Sequence, residues 1–489
     1  MNNFKRRLNG VLTLLCFPLL CADPASAAKP PLSLQDCIDL ALTQNLQHLR
    51  NQQNLERGLM RLREAQAPFE LRADMDLTLP RYRETRDVFE NEALLTRIRT
   101  EDTDFTYSGH LQLAQRVRHL GRFSINSRGS RRDFSSNLKE DFLDYYGDIT
   151  FNYAREVFTD PAEELALLEA ELNFASSHLL AARQRLEIEA QVINAYYDLV
   201  QSIRRLEIEA QRREQSRTSY ELALRKFEIG LIAEVDALKL QVALLETEAS
   251  YTAAATGIER RRDRLRQQLG MGLEEAFEVV TAVDYQNYAI SEARALELGL
   301  ARHTDMRRSE IEERISALGL KITRQRSGPR ATLSSSVKLG GRGPEVGAIS
   351  RNLERNLWNV GIQVQMPLID GGSRRSQLGR ARINLEQSRL DREMRRRDIT
   401  LQIKNVVRAL AEEERQIELG KVRLEVAERT YAVQQRRFEM GQTQSQELLD
   451  AQIALTGARS SALNAVIGYQ RQLVALRLAT MAEVEEMVE

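Results

Sequence analysis

Residues 437–456, RFEMGQTQSQELLDAQIALT, decide the fold because the chain contains this stretch twice. Residues 226–245 have the sequence KFEIGLIAEVDALKLQVALL. At a spacing of 211 positions the two stretches align without a gap and share seven identical residues. Self-similarity at a fixed spacing is the signature of a repeated structural unit, so the chain is predicted to be a tandem duplication.

Each copy of this stretch predicts a turn between two helices. Gly230 and Gly441 follow helical patterns and suit the left-handed position that ends a helix. Asp236 and Glu447 follow a few residues later, where the dipole of a new helix favours a negative charge. The turns are predicted at residues 230–236 and 441–447.

The amino terminus predicts export from the cytoplasm. Residues 1–27 combine a basic start, an apolar core and the small residues Ala25, Ser26 and Ala27, the pattern of a secretory signal peptide. Lipoprotein processing at Cys21 is an alternative, which the bulky Leu20 disfavours. Only one cysteine, at position 37, follows the predicted cleavage site, so no disulfide is expected within the mature chain.

The charge balance excludes a simple polyanion-binding role. Lysine plus arginine and aspartate plus glutamate both number 70, so no nucleic acid partner is expected. No mature segment approaches the roughly 18 uncharged apolar residues of a membrane-spanning helix. If the protein crosses a membrane, it does so with strands.

Two sections of the chain alternate with a period of two residues, which predicts strands. They lie at about residues 69–158 and 330–369, and together they contain about four clear strands. Residues 81–104 are mostly polar and are predicted to form a surface loop. The first section is longer than the second, which suggests extra strand length or an extracellular extension.

Helical patterns surround both strand sections. In the first copy they predict helices at 32–66, from Pro161 to about 229, and at 233–269; the second copy repeats them at 290–325, from about 373 to 440, and up to 480. The first repeat is therefore predicted at 28–280 and the second at 281–480. Residues 481–489 form an acidic tail that is expected to fray.

The strands have one apolar and one polar face, as in a membrane β-barrel with a wet interior. Four strands leave open edges, and the smallest barrels have about eight strands, so several chains are expected to close one barrel. The alternative from another class is a periplasmic coiled-coil scaffold, because long charge-rich helices are common in soluble coiled coils.

The order of elements, the duplicated hairpin, the PLIDGG junction at 367–372 and the segment LSLQDCIDLALTQN at 32–45 resemble the TolC-like outer-membrane efflux proteins. The resemblance implies a mostly helical fold with membrane strands: a homotrimer whose 12-stranded β-barrel in outer-membrane lipid continues as an α-helical barrel through the periplasm. It also implies that 233–269 and 290–325 stack end to end beside a long helix. The implied partners are a periplasmic adaptor protein and an inner-membrane transporter.

The resemblance places a gate at the hairpin turns. It implies that Glu447 and Asp450, one helical turn apart, contribute to an acidic ring around the pore, and that Gly230 and Gly441 lie where the adaptor binds. In well-known members an arginine ties the gate to the acid at the position of Asp236. Thr443 occupies that arginine position here, and Arg436 or Arg437 is the candidate substitute.

No residue pattern predicts catalysis. The five histidines are scattered without metal-ligand spacing, and no phosphate-binding loop or GxSxG motif occurs, so neither an enzyme nor a cofactor is expected.

The predicted function is a passive exit duct of a tripartite efflux system. A duct for type I protein secretion is the alternative within transport, since the pore geometry is shared.

Overall fold

The computed structural model describes residues 31–91, 96–283, 285–366 and 368–488. The predicted signal peptide and Cys21 lie outside these residues. Helices dominate the described chain, and one antiparallel sheet contains all the strands found in it. None of the described helices is both long and apolar enough to cross a bilayer.

The described α-helices fall into two sets of four, plus one short α-helix between strands. The first set is α1 (Leu34–Gln44), α2 (Leu46–Gln66), α3 (Ala162–Glu228) and α4 (Glu234–Leu269). The second set is α5 (Glu292–Arg302), α6 (Thr304–Ser327), α8 (Ser373–Glu439) and α9 (Ser445–Thr480), with α7 (Val346–Arg351) inside the second strand section. The predicted long helices and return helices are confirmed within two residues of their ends.

The two sets repeat each other in length as well as in order. The first and fifth helices have 11 residues each, the two long helices 67 each, and the two return helices 36 each. The long helices begin at 162 and 373, 211 positions apart, which is the spacing of the duplicated sequence. The predicted duplication is therefore present in the three-dimensional structure.

The sheet contains six strands in the order β1 to β6. Their bounds are β1 (Arg72–Asn91), β2 (Thr96–Val117), β3 (Gly121–Ser136), β4 (Phe142–Glu156), β5 (Arg330–Gly343) and β6 (Glu354–Gln365). One face is apolar and exposed: Met75, Trp358 and Ile362 are 65 to 67% exposed. The opposite face contains polar side chains such as Asp148 and Lys338, whose carboxylate and ammonium groups lie 3.5 Å apart.

Two strand predictions are wrong. Residues 81–104 are not a loop, since β1 and β2 pair across most of this segment. The count of about four strands is also too low by two. The loop error arises because the outer part of the β1–β2 hairpin extends beyond the end of β3, so neither face shows the apolar alternation of a half-buried strand.

Two helix predictions need correction at single residues. The predicted helices at 32–66 and 290–325 are each broken, at Asn45 and His303. The Asn45 side chain accepts hydrogen bonds from the N–H groups of Gln47 and His48, and His303 Nδ1 accepts one from the N–H of Asp305. These side chains cap new helix starts, and this competes with continuation of the preceding helix.

The implied stacking of 233–269 on 290–325 is wrong. The return helix α4 ends against the junction of α1 and α2 in its own copy, where Asn45 Nδ2 donates to the carbonyl of Gln268 at 2.6 Å. A Cβ on Gly270 would approach the carbonyl oxygen of Gln44 to 2.4 Å, so only glycine fits this junction. Each long helix is thus flanked by helices of its own copy.

The acidic tail is ordered through residue 488, contrary to the expectation that it frays. The N–H of Ser291 donates to the carbonyl of Met487 at 3.0 Å, and the side chain of Met487 is fully buried. Glu486 forms a 2.8 Å ion pair with Arg302. The tail therefore contributes to the apolar core around α5 and α9.

Candidate functional site

The two hairpin turns have the same backbone geometry. Gly230 and Gly441 have φ of +77° and +73°, so both are left-handed as predicted. The N–H of Leu231 donates to the carbonyl of Lys226 at 2.8 Å, and the N–H of Gln442 donates to the carbonyl of Arg437 at 2.8 Å. With the bonds from the two glycine N–H groups, these form a Schellman motif at each helix end.

A shared apolar core lies beneath the two turns. Phe438 is 2% exposed and packs in this core with Leu240 and Leu448. Its counterpart in the first copy, Phe227, is 38% exposed. The duplicated sequence therefore takes two different positions: the second copy faces inward at this residue and the first copy faces outward.

Two polar contacts tie the hairpins together. The buried Lys226 ammonium donates to the carbonyl of Phe438 and lies 4.7 Å from the centre of its ring. Burial lowers the pKa of Lys226, and nearby Glu439 opposes this shift. Ser445 Oγ donates to Asp236 Oδ1 at 2.8 Å, so the first-copy acid is held by a hydroxyl of the second copy.

The sequence pointed to Asp236 but missed Ser445. Lys239 Nζ also lies 3.8 Å from Asp236. Neither Arg436 nor Arg437 forms a side-chain hydrogen bond or ion pair within the described part of the chain, so the substitution of one of them for the family arginine stays a prediction. Sequence gave one weak signal for Ser445, a hydroxyl residue at the start of a helix.

The two acids of the second copy lie on the exposed side of α9. Glu447 accepts a 2.5 Å hydrogen bond from Thr443, and Asp450 accepts a 3.0 Å bond from Gln446. The opposite side of the helix contains the buried Leu448. The two carboxylates are therefore directed away from the core and are not brought together with Asp236 in one chain.

A third contact anchors α9 to the first copy. Gln452, 2% exposed, donates from Nε2 to the carbonyl of Arg212 at 3.1 Å and to Ser216 Oγ at 2.8 Å. This glutamine is identical in both copies of the duplicated stretch, with Gln241 as its counterpart. Its identity was the available signal, but sequence did not show that only one copy uses it as an anchor.

Other titratable groups are buried elsewhere in the helices. Burial lowers the pKa of His303 to about 4, with Arg183 and Arg395 contributing, and raises the pKa of the Cys37 thiol to about 12. No cluster of three or more potential metal ligands occurs among the described residues.

The chain joins two paired hairpins of very long helices to one amphipathic antiparallel sheet. Residues 295–480 match the outer membrane efflux protein family. The predicted resemblance and the predicted location, the outer membrane with extension into the periplasm, are confirmed by this match. It is a match to channels and not to enzymes.

Solved structures confirm the fold over almost the whole chain. VceC of Vibrio cholerae is 16% identical, with 92% of this chain and 96% of that chain covered and a TM-score of 0.69. CmeC of Campylobacter jejuni is 13% identical, with coverages of 91% and 85% and a TM-score of 0.68. MtrE of Neisseria gonorrhoeae is 15% identical, with coverages of 92% and 89% and a TM-score of 0.67.

A curated relative is also found by sequence. Nodulation protein T of Rhizobium leguminosarum bv. trifolii is 22% identical over 292 residues, which are 59% of this chain. The match spans 62% of that relative's length.

Proposed function

We propose that three copies of this chain form the outer-membrane exit duct of a tripartite efflux system, which conducts substrates passively from the periplasm to the exterior. The observation that carries the proposal is a pair of exposed apolar seams on the hairpin helices. The family match and the channel folds of the solved structures support it.

The first seam lies on α4. Val235, Leu238, Val242 and Leu245 are 49 to 60% exposed and are spaced by three, four and three residues. This is the spacing of the core positions of a coiled coil. Among the described residues these side chains remain about half exposed, along a groove between α4 and α9 that Leu449 and Ile453 also line. The seam is therefore suited to a helix of another copy.

The second seam lies on α8. Leu419, Val422, Val426 and Val433 are 51 to 64% exposed, at intervals of three, four and seven residues. The helix α8 runs toward the turns and α4 runs away from them, so the two seams are antiparallel partners. A contact between two different surfaces of identical chains generates a ring when its rotation closes.

The sheet edges support the same assembly. β1 and β6 are the edge strands, and their outer backbone groups have no partner strand within the described chain. Open edges are not tolerated in lipid, so β6 of one copy must pair with β1 of the next. The number three comes from the resemblance to TolC-like proteins.

We place the gate at the hairpin turns. Three copies of Glu447 and Asp450 would supply six carboxylates around the periplasmic mouth, a cation-selective constriction. The Ser445–Asp236 hydrogen bond holds the two hairpins of each chain together in the closed arrangement. Opening requires the hairpins to separate at this contact.

The turns also offer a surface for the adaptor. Ile229, Leu231 and Met440 flank the two glycines and are 63 to 71% exposed. Exposed apolar residues grouped at the tips of rigid hairpins favour contact with a partner protein. The adaptor links the duct to an inner-membrane transporter, which supplies the energy.

Single-channel recording in planar bilayers tests the duct and its gate. Wild type is expected to show a small, cation-selective conductance, and Glu447→Gln/Asp450→Asn is expected to reduce the selectivity. Glu418→Gln/Glu425→Gln removes two exposed acids far from the turns and is the matched control. Equal effects of both double variants would refute the acidic gate, and absence of any pore would refute the duct.

A further inference from the structure

The repeat shows which strands of the first copy have no counterpart in the second. β1 and β5 begin at 72 and 330, 258 positions apart, and α1 and α5 show the same offset with starts at 34 and 292. β4 and β6 end at 156 and 365, 209 positions apart, close to the offset of 211 for the long helices. β1 therefore corresponds to β5, and β4 to β6. The hairpin β2–β3 is an insertion between them.

The inserted hairpin lies within the sheet. β2 pairs with β1 along its length, β3 pairs with β4 from Arg122 to Phe134, and no strand is displaced from the order β1 to β6. Its apolar face is continuous with the rest, because Leu113, Ile125 and Phe151 occupy one row across three strands. The β2–β3 hairpin is therefore part of the sheet that forms the barrel wall and is not an extracellular extension.

Aromatic side chains on the hairpin match those on β4 at two levels. Phe123 lies beside Tyr153 with ring centres 5.0 Å apart. Eight residues away along β4, Tyr145 and Tyr107 both contact the guanidinium of Arg131, at 5.9 and 5.8 Å. Eight residues span about 26 Å along the strand and about 20 Å along the axis of a barrel whose strands are tilted by about 40°, which fits within the apolar band, about 25 Å tall, between the aromatic girdles of a membrane barrel.

The turn of the hairpin is fixed at the end of the sheet from which the helices start. Arg116, 4% exposed, pairs with Glu156 at 3.2 Å and with Glu163 in the first turn of α3 at 2.9 Å. The N–H of His119 donates to Glu164 at 3.0 Å, and Arg122 also pairs with Glu163. These contacts place the turn at the periplasmic end of the wall.

We infer that each chain contributes six strands to the membrane wall, so that the trimeric duct ends in a barrel of eighteen strands. This inference rests on the proposed trimeric duct. Barrel diameter grows with strand number, so eighteen strands give a pore about 1.5 times as wide as twelve. The outer end of such a duct passes solutes of larger cross-section.

The helical section has a matching circumference. Each chain supplies four helices at any level, and twelve helices spaced about 9 Å apart have a circumference of about 110 Å. Eighteen strands about 4.8 Å apart and tilted by about 40° give about the same value, whereas twelve give about 75 Å. Six strands per chain therefore continue the helical section without narrowing it.

Spin-label accessibility in lipid bilayers tests the place of the hairpin in the wall. Leu111→Cys and Ile125→Cys are expected to be accessible to oxygen in the lipid, and Gln112→Cys to a water-soluble nickel chelate. Ile149→Cys on β4 is the matched reference. Cys37 is fully buried, so the label attaches at the introduced cysteine. Nickel accessibility at both Leu111→Cys and Ile125→Cys would overturn the inference, whatever the protein conducts.

Electron cryomicroscopy of the wild-type protein in lipid nanodiscs, viewed along the symmetry axis, counts the strands. Eighteen strands in a trimer are expected. Twelve strands, with β2 and β3 outside the wall, would overturn the inference. A ring of another copy number with six strands per chain would refute the trimer and leave the strand contribution of each chain standing.

Discussion

The helices and the strand sections of the two copies differ in how closely they repeat. The long helices have 67 residues in both copies and the return helices 36, whereas the strand sections contain four strands and two. Both long helices span the same distance between sheet and turns, so a change in one length would separate the hairpin tips. A strand section can gain or lose strands two at a time, because a β-hairpin brings the chain back to the end of the sheet from which it started.

At the two helical hairpin turns the copies have the same backbone geometry but different surroundings. The turns at Gly230 and Gly441 form the same backbone hydrogen bonds, but Phe227 is exposed whereas its counterpart Phe438 is buried. A duplicated sequence thus preserves local geometry, while the packing of one copy against the other makes the two environments unequal. Substitutions at paired positions test this inequality.

The largest effect is expected where the inserted hairpin meets α3. Arg116→Met removes the buried cation that pairs with the partly buried carboxylates of Glu156 and Glu163, and it should lower the free energy of unfolding by about 3–5 kcal/mol. The measurement is the guanidinium midpoint in detergent, followed by circular dichroism. Arg122→Gln, at an arginine side chain 54% exposed, is the control and should cost at most about 1 kcal/mol. Similar losses for both variants would show that the ion pairs of Arg116 do not fix the β2–β3 hairpin to α3.

Phe438→Ala should destabilise the hairpin ends by about 3–5 kcal/mol, because it leaves a cavity in their shared core. Phe227→Ala removes the same side chain from the equivalent but exposed position and should cost about 1 kcal/mol. Hydrogen exchange of the amides near the ends of α3, α4, α8 and α9 measures the local opening free energy. Equal losses would mean that the two copies are equivalent in the assembled protein.

Acid should destabilise the second copy at His303 but not the first copy at Asn45, its counterpart at the offset of 258. The folded pKa of about 4 lies below the unfolded value of 6.5, so stability is full above pH 6.5 and falls as pH drops toward 4. The expected loss is about 3 kcal/mol. His303→Asn keeps a capping residue without a titration, and its denaturation midpoint should fall less between pH 6.5 and 4. If His303→Asn had the same pH dependence as wild type, protonation of His303 would not be the cause of the acid destabilisation.

The smallest effect concerns the contact between the hairpins. Ser445→Ala removes the donor to Asp236 and should weaken the closed arrangement by about 1 kcal/mol, seen as a higher open probability in single-channel records. Thr430→Ala, which removes a hydroxyl that donates only to the carbonyl of Val426 within α8, is the matched control. If Thr430→Ala increased opening as much as Ser445→Ala, the Ser445–Asp236 contact would not be part of the gate.

Sequence alone determined the helical frame. The duplicated stretch, the glycines at the two turns and the uninterrupted helical patterns predicted four of the helices within two residues, because helix periodicity and glycine at a helix end act over short distances. The strand sections were located for the same reason. The resemblance then supplied the class of protein.

Only the tertiary structure decided the rest. The breaks at Asn45 and His303, the strands in the charged segment 81–104 and the ordered tail around Met487 depend on contacts between distant segments. The same holds for the tie between Ser445 and Asp236, which are 209 positions apart. The duplicated sequence encodes the same local turn geometry twice. How the two copies pack decides that Phe438 is buried while Phe227 is exposed, and that Asp236 is held by Ser445. This packing depends on residues of both copies, so neither copy of the stretch predicts it alone.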